Sequence, residues 1–224
     1  MFLSNLKTNG SLKNDSYLEK YLLTKEDVAL SYEQTNMEIV LGYCCDEKKD
    51  LFYEKCLQDG VPINRRRGGG GTVLLSPGMI IMVIICEVRS FYDNLTYFSI
   101  INDYIIKTLK KLEVREVIQQ KGVSDLVIGN KKILGSSIYR NGSLLFYQAS
   151  LMVHNDLKLI SKYLKMPNIA PEYRNSRNHD EFCANLAQFG YHIELQNIID
   201  CFQAGSLDLL QSLKSETTSK KGAN

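Results

Sequence analysis

The sequence predicts an α+β fold, equally describable as mixed α/β, in which helices pack on a largely antiparallel β-sheet. Three observations predict it. Met79 to Cys86 is apolar throughout, β-branched in large part and preceded by Ser76-Pro77-Gly78, which suits a strand buried on both faces. Gly129-Asn130 and Asn141-Gly142 are tight-turn dipeptides between apolar runs, so Asp125 to Val153 reads as an antiparallel meander. Long helical stretches at Leu95 to Leu112 and Leu195 to Leu213 supply the cover for such a sheet.

The elements follow in chain order. Asn14-Asp15-Ser16 can cap a helix, and Tyr17, Leu18, Tyr21 and Leu22 recur behind it at helical spacing. Val28 to Tyr32 and Met37 to Leu41 read as two strands around a polar turn at Gln34-Thr35-Asn36. Lys48 to Gln58 reads as a helix stopped by Asp59-Gly60, and an Arg/Gly strand then leads to a strand over Thr72 to Leu75. After the long helix, Arg115 to Gln119, Asp125 to Ile128 and Lys132 to Tyr139 read as strands. Asn155-Asp156 caps a helix through Leu164, Pro167 and Pro171 mark an extended connector, and Asp180 to Phe189 is a further helix. No repeat or linker divides the chain, which predicts one domain over residues 1–213. Residues 214–224 form a polar tail, small and lysine-rich from Glu216 to Asn224, that is expected to be disordered.

Composition narrows the function classes. The 224 residues carry 27 Lys and Arg against 25 Asp and Glu, a net charge of +2, which excludes the broad positive field of a nucleic-acid binder. Six cysteines show no CxxC pairing and no histidine at zinc-finger spacing, so they read as free thiols in a reducing compartment. Met1 to Lys7 lacks a long apolar core and no later segment reaches membrane-spanning length, so the default expectation is a cytoplasmic protein without a membrane partner. His154, His179 and His192 are scattered without ligand spacing.

Two segments carry chemistry. Pro62-Ile63-Asn64-Arg65-Arg66-Arg67-Gly68-Gly69-Gly70-Gly71-Thr72-Val73 runs three guanidiniums into four residues without side chains. Glycine lets the backbone approach a ligand, and amides with neighbouring Arg forks are donors for phosphate or carboxylate. The alternative is a flexible basic loop. No Gly-Lys-Ser/Thr and no helix pattern follow, so neither the nucleotide P-loop nor the dinucleotide fingerprint fits, and the glycines join strand to strand. The second segment is Lys131-Lys132-Ile133-Leu134-Gly135-Ser136-Ser137-Ile138-Tyr139-Arg140, a strand opened by lysine whose small residues leave room for a ligand. Its alternative is a solvated hairpin lysine with a glycine bulge.

Together these segments resemble the biotin/lipoate protein ligase superfamily, specifically the catalytic domain of the lipoate-protein ligase A family. That family's Arg-Arg, two residues, Gly-Gly-Gly, a small residue and Val falls on Arg65, Arg66, Gly69, Gly70, Gly71, Thr72 and Val73. Its Asn-Asp-Leu strand and Lys-(Ile/Val)-x-Gly-Ser-Ala strand fall on Ser124-Asp125-Leu126 and Lys132 to Ser137. Weaker echoes extend from Asn14 to Leu213: Gly42, Gln148 to Leu151, and Pro171 to Arg174 with Arg177 and Phe182.

The resemblance implies a biotin/lipoate protein ligase-like enzyme that attaches lipoate or octanoate through an acyl-adenylate to the ε-amine of one lysine on a carrier. The carriers would be lipoyl domains of 2-oxoacid dehydrogenases or the glycine cleavage carrier protein, with ATP and Mg2+ required. It implies Lys132 as the catalytic residue. Arg65, Arg66, Gly69, Gly70, Gly71, Thr72, Val73, Asp125, Gly135, Ser136 and Ser137 would bind ATP and the acyl-adenylate. Leu74, Leu75, Val83 and Tyr139 would line the acyl chain, or else serve as plain core. Asp125 would orient Lys132 or a magnesium ion, or else cap its strand. The chain departs from the family at Leu75, where His is usual, at Gly68, where Ser or Thr is usual, and at Ser124, where Asn is usual. No C-terminal accessory domain is expected after Leu213, so adenylation is expected either to call on a separate subunit or not to occur. Two other readings stand beside the ligase: an ATP-independent octanoyl or lipoyl transferase using Cys44 or Cys45, with Cys86, Cys183 and Cys201 in the core, and a non-catalytic binder of the acyl group or carrier.

Overall fold

The apolar strand at Met79 organises the molecule. The computed structural model describes residues 13–89 and 94–215. Its helices are α1 (Lys13–Thr24), α2 (Glu47–Asp50), α3 (Tyr53–Gln58), α4 (Asn94–Lys111), α5 (Lys158–Tyr163), α6 (His179–Phe182), α7 (Leu195–Ala204) and α8 (Ser206–Ser215). Its strands are β1 (Val28–Glu33), β2 (Glu38–Leu41), β3 (Ile63–Arg65), β4 (Val73–Leu75), β5 (Met79–Glu87), β6 (Ile118–Lys121), β7 (Asp125–Ile128), β8 (Lys131–Asn141) and β9 (Leu144–Met152). Short 3-10 turns lie at Glu172–Arg174 and Leu186–Phe189. The expected tail at Glu216 to Asn224 and the Met1 to Lys7 segment lie outside the described residues.

Six strands form one sheet in the order β1-β5-β9-β8-β7-β6, antiparallel at every step. The β7 to β9 run is the meander expected from the sequence, with Gly129 and Gly142 at positive φ of 60° and 58° in its turns, and β6 extends it by one strand. A smaller sheet, β3-β2-β4, pairs β2 parallel to β3 and antiparallel to β4. β1 and β2 therefore do not pair with each other, despite the polar turn between them; each enters a different sheet.

Alternation along β5 divides two cores. Ile80, Met82, Ile84 and Cys86 face a layer formed by α4, α7 and α8, whereas Met79, Ile81, Val83 and Ile85 face the small sheet with α1, α3 and α5. Each such side chain contributes about 1.5–3 kcal/mol on full burial. The second face carries the small sheet that the glycine segment joins.

Three expected helices are broken, each by a tertiary contact. Lys48 to Gln58 splits because Leu51 is fully buried and bridges to Leu164, while the Phe52 amide donates to the Tyr163 carbonyl at 2.9 Å. Asp180 to Phe189 ends early because Cys183 bridges to Lys132 and the Ala184 amide donates to the Lys132 carbonyl at 2.9 Å. Leu195 to Leu213 breaks at Gly205, where a Cβ would lie 2.8 Å from the hydroxyl of Tyr104, which donates to the Phe202 carbonyl. The strand expected at Arg115 begins instead at Ile118, since Val114 enters the core and the Arg115 amide donates to the Tyr191 hydroxyl. The cap expected at Asn155-Asp156 falls instead on Leu157, which makes no side-chain cap bond, and Asp156 accepts from the Lys158 amide at 3.0 Å just ahead of it. No described helix is long and apolar enough to cross a membrane.

Candidate functional site

The glycine run joins β3 to β4 and is folded around its own arginines. Arg66 is buried, and its guanidinium donates to the carbonyls of Gly69 at 2.7 Å, Gly71 at 2.8 Å and Val40 at 3.3 Å. Burial lowers its pKa to about 10, which still leaves it charged at neutral pH. Arg65 donates to the carbonyls of Gly42, Tyr43 and Cys45 at 2.9, 3.1 and 2.7 Å. Arg67 lies 3.8 Å from Asp15. Both family arginines thus serve carbonyls of the loop and its neighbour, where the sequence reading aimed them at phosphate.

That inward turn exposes the amides. The Gly68 carbonyl accepts from the Tyr43 amide at 3.1 Å and the Gly70 carbonyl from the Cys45 thiol at 3.5 Å. With Gly69 and Gly71 held by Arg66, all four glycine carbonyls point inward. In a trans peptide the N–H points opposite to the C=O, so the amides of Gly69, Gly70, Gly71 and Thr72 face outward. Gly69, Gly70 and Gly71 are exposed, and no acceptor among the described residues takes their amides. Gly70 adopts φ +85°, and a Cβ on Gly42 would fall 1.9 Å from the Gly70 carbonyl oxygen. Thr72 is turned aside, its hydroxyl donating to Asp50 at 3.0 Å.

The lysine strand presents side chains instead. The Lys132 ammonium lies 2.7 Å from Asp125 Oδ1, and the Tyr173 hydroxyl donates to Asp125 Oδ2 at 2.7 Å. Both partners of the ion pair are mostly buried, at 23% and 13% side-chain exposure. The lysine crosses Gly135, where a Cβ would lie 2.7 Å from its Nζ. A bulge on β8, where Ile133 is the extra residue opposite the Leu126–Val127 step of β7, adjusts the alternation so that Lys132, Gly135, Ser137 and Tyr139 share the second face. Ser136 points elsewhere: its hydroxyl donates to the Ser124 carbonyl and Ser124 returns the bond to Ser136, each at 3.0 Å.

Ser137 brings the two segments together. A Cβ on Gly68 would fall 2.9 Å from the Ser137 hydroxyl oxygen, so the loop rests on β8 directly. Two strand residues separate Ser137 from Gly135, which sets the ammonium about 7 Å along the same face. The departure at Gly68 has its reason here, because no side chain fits between the loop and Ser137. Gln148 and Val83 continue the Ser137 row across the sheet. Val83, Leu74 and Leu75 are buried in the second core, with Tyr139 half-buried against it, so all four are packed core side chains as well as neighbours of the site.

Cys44 is exposed and Cys45 partly so, behind the glycine loop. The cysteine beside Lys132 is Cys183, which is buried, its thiol pushed up by that burial against the lowering pull of Lys132 and Arg174. Sequence reasoning missed Tyr173 and Cys183 as neighbours of the lysine; the echo at Pro171 to Arg174 was the available signal. Among the described residues no cluster of three His, Cys, Asp or Glu is placed to hold a metal ion.

Residues 11–206 match the family described as the lipoyl protein ligase A/B catalytic domain. The chain is 26% identical over 193 residues to lipoate-protein ligase A subunit 1 of Thermoplasma acidophilum, covering 81% of this chain and 72% of that one. Other curated lipoate-protein ligase A relatives are longer, and the chain spans about half their length, 46% of one and 56% of another. The fold superposes on a crystal structure of lipoate-protein ligase A bound with ATP with TM-score 0.73 at 19% identity, over 88% of this chain and 78% of that one. It also superposes on a structure from the bi-partite lipoate protein ligase and E2 lipoyl domain system of Thermoplasma acidophilum, with TM-score 0.70 at 20% identity, over 83% and 72% of the two chains.

Proposed function

The chain belongs to the lipoyl protein ligase A/B catalytic domain family, and from that we propose that it is a ligase which joins lipoate, or octanoate, to the ε-amine of a lysine on a lipoyl domain. In the first half-reaction the acid's carboxylate oxygen bonds to the α-phosphorus of ATP and the bond to pyrophosphate breaks. In the second, the carrier amine, having lost a proton from its usual pKa of about 10.4, attacks the acyl carbon and AMP departs.

One observation carries this reading: outward glycine amides and the Lys132 ammonium stand on one sheet face, joined by the Gly68–Ser137 contact. The amides of Gly69 to Gly71 would take phosphate oxygens, and Lys132 would hold the oxygens where acyl carbonyl and α-phosphate meet. Arg66 supports the amides from behind, adding positive charge without touching the ligand. Val83, Tyr139 and Leu74 border the sheet face on the side where an acyl chain would lie.

A protein-held magnesium does not fit the donor set at Asp125, since Oδ1 is taken by Lys132 and Oδ2 by Tyr173. Magnesium would arrive on the ATP phosphates, its usual mode with nucleotides. The bi-partite organisation described for the Thermoplasma system supports a second subunit as partner of this chain.

The test is to incubate the protein with ATP, magnesium, lipoate and a lipoyl domain, with and without a candidate second subunit, and to weigh the domain by mass spectrometry. The expected result is a mass gain of one lipoyl group that requires ATP. Transfer from an octanoyl-loaded carrier without ATP would replace this reading with the transferase one, for which Cys44 and Cys45 are the candidate nucleophiles.

A further inference from the structure

We propose that Tyr173 is a positioning residue whose hydroxyl, acting through Asp125, fixes the Lys132 ammonium over Gly135. Asp125 offers one carboxylate oxygen to each neighbour, Oδ1 to Lys132 and Oδ2 to Tyr173, both at 2.7 Å. A carboxylate engaged on both oxygens cannot turn about its terminal bond without losing one contact. The ammonium then spends one of its three donors on Asp125 and keeps two for incoming oxygens. Burial, reinforced by the Asp125 charge, raises the Tyr173 pKa, so the phenol stays a donor throughout the neutral range.

Tyr173 is itself held. Arg177 donates to its carbonyl at 2.8 Å, its ring lies 5.2 Å from that of Phe182, and its edge rests over Gly122, where a Cβ would sit 3.5 Å away. The same segment returns to the lysine a second time, because Cys183 bridges to Lys132 and Ala184 donates to the Lys132 carbonyl. One stretch of chain therefore fixes both the backbone and the side-chain charge of Lys132.

The kinetic consequence rests on the ligase reading; the geometric one does not. Pyrophosphate release should fall about tenfold in kcat for Tyr173→Phe, as expected when a catalytic charge loses its preorganisation, with KM for ATP and lipoate within about threefold. Asp125→Asn should lose at least as much, and the double variant no more than Asp125→Asn alone, the non-additivity of residues acting in series. Independently of turnover, an amine-selective acylating reagent read by peptide mass mapping should label Lys132 about threefold faster in Tyr173→Phe, since the freed carboxylate no longer fixes it. Lys162, paired with Asp59 at the same 2.7 Å, is the internal reference and should label at an unchanged rate. Wild-type kcat in Tyr173→Phe, losses that multiply in the double variant, or unchanged Lys132 labelling would each overturn the inference. Absence of pyrophosphate release in the wild type, with the candidate second subunit present, would instead overturn the ligase reading, with the labelling still deciding the role of Tyr173.

Discussion

The glycine loop and the lysine end of β8 both place positive character on one sheet face, by opposite means. In the loop the charged side chains are structural: Arg66 gathers the Gly69, Gly71 and Val40 carbonyls, Arg65 gathers those of residues 42, 43 and 45, and what is left to face outward is backbone. At the lysine end the backbone is committed to the sheet and to Ala184, and what the face presents is an ammonium. Loop stability and loop function therefore depend on the same arginine. At β8 they separate, since Lys132 makes one ion pair that the fold can lose.

The largest effect should come from Arg66→Ala. It leaves the Val40, Gly69 and Gly71 carbonyls without their shared donor, which should cost about 3–5 kcal/mol of stability and abolish ligation. Denaturant unfolding and lipoyl-domain mass together measure both losses, and a stable, active variant would break the comparison. Arg66→Lys should not rescue, because one ammonium cannot span the carbonyls a planar guanidinium reaches. Next in size, Lys132→Ala should remove about 3–4 kcal/mol of transition-state stabilisation, a rate loss of about 10² or more. Its unfolding midpoint should stay near wild type. A large loss of stability there would erase the distinction between the two regions.

The same distinction marks what the sequence made legible. Periodicity and turn dipeptides located β5, α4 and the β7 to β9 hairpins, because their residues answer to local geometry. The motif spacing paired Lys132 with the glycines as an expectation, and in the structure the loop meets the lysine strand at Ser137. The inward turn of Arg65 and Arg66 was not legible, because a guanidinium beside glycines suits an anion or a row of carbonyls equally well. Only the fold of residues 42–45 against the loop decides between them. Likewise the helix breaks at Leu51, Cys183 and Gly205 follow from partners distant in the chain, namely Leu164, Lys132 and Tyr104. Tyr173 escaped for the same reason: its partner Asp125 lies on another element.

Gly135→Ala sharpens the comparison at smaller scale. Its Cβ would sit 2.7 Å from the Lys132 Nζ and 2.8 Å from Cε, the far end of a flexible side chain, so the lysine shifts and the strand stays. We expect about a tenfold fall in kcat, with stability changed by less than about 1 kcal/mol. Gly42→Ala, by contrast, meets the Gly70 carbonyl at 1.9 Å, backbone against backbone, and should weaken fold and ATP binding together.

The smallest effect separates the regions by pH. His179 lies 3.0 Å from the Lys165 carbonyl through Nε2 and 3.3 Å from Arg174 through Nδ1, an arrangement that suits a neutral ring donating from Nε2 and accepting at Nδ1. Burial, aided by the Arg174 charge, lowers its pKa below the ordinary 6.5. A lowered value means the unfolded chain takes the proton first, so this stabilisation is present above pH 6.5 and lost as pH falls through the folded value. It acts on the segment that holds Lys132, whereas Arg66, with a pKa of about 10, keeps the glycine loop charged throughout that range. Between pH 7 and 5, melting temperature should therefore fall more in wild type than in His179→Gln. The affinity for ATP, which the proposed function assigns to the loop, should show no such difference between the two proteins.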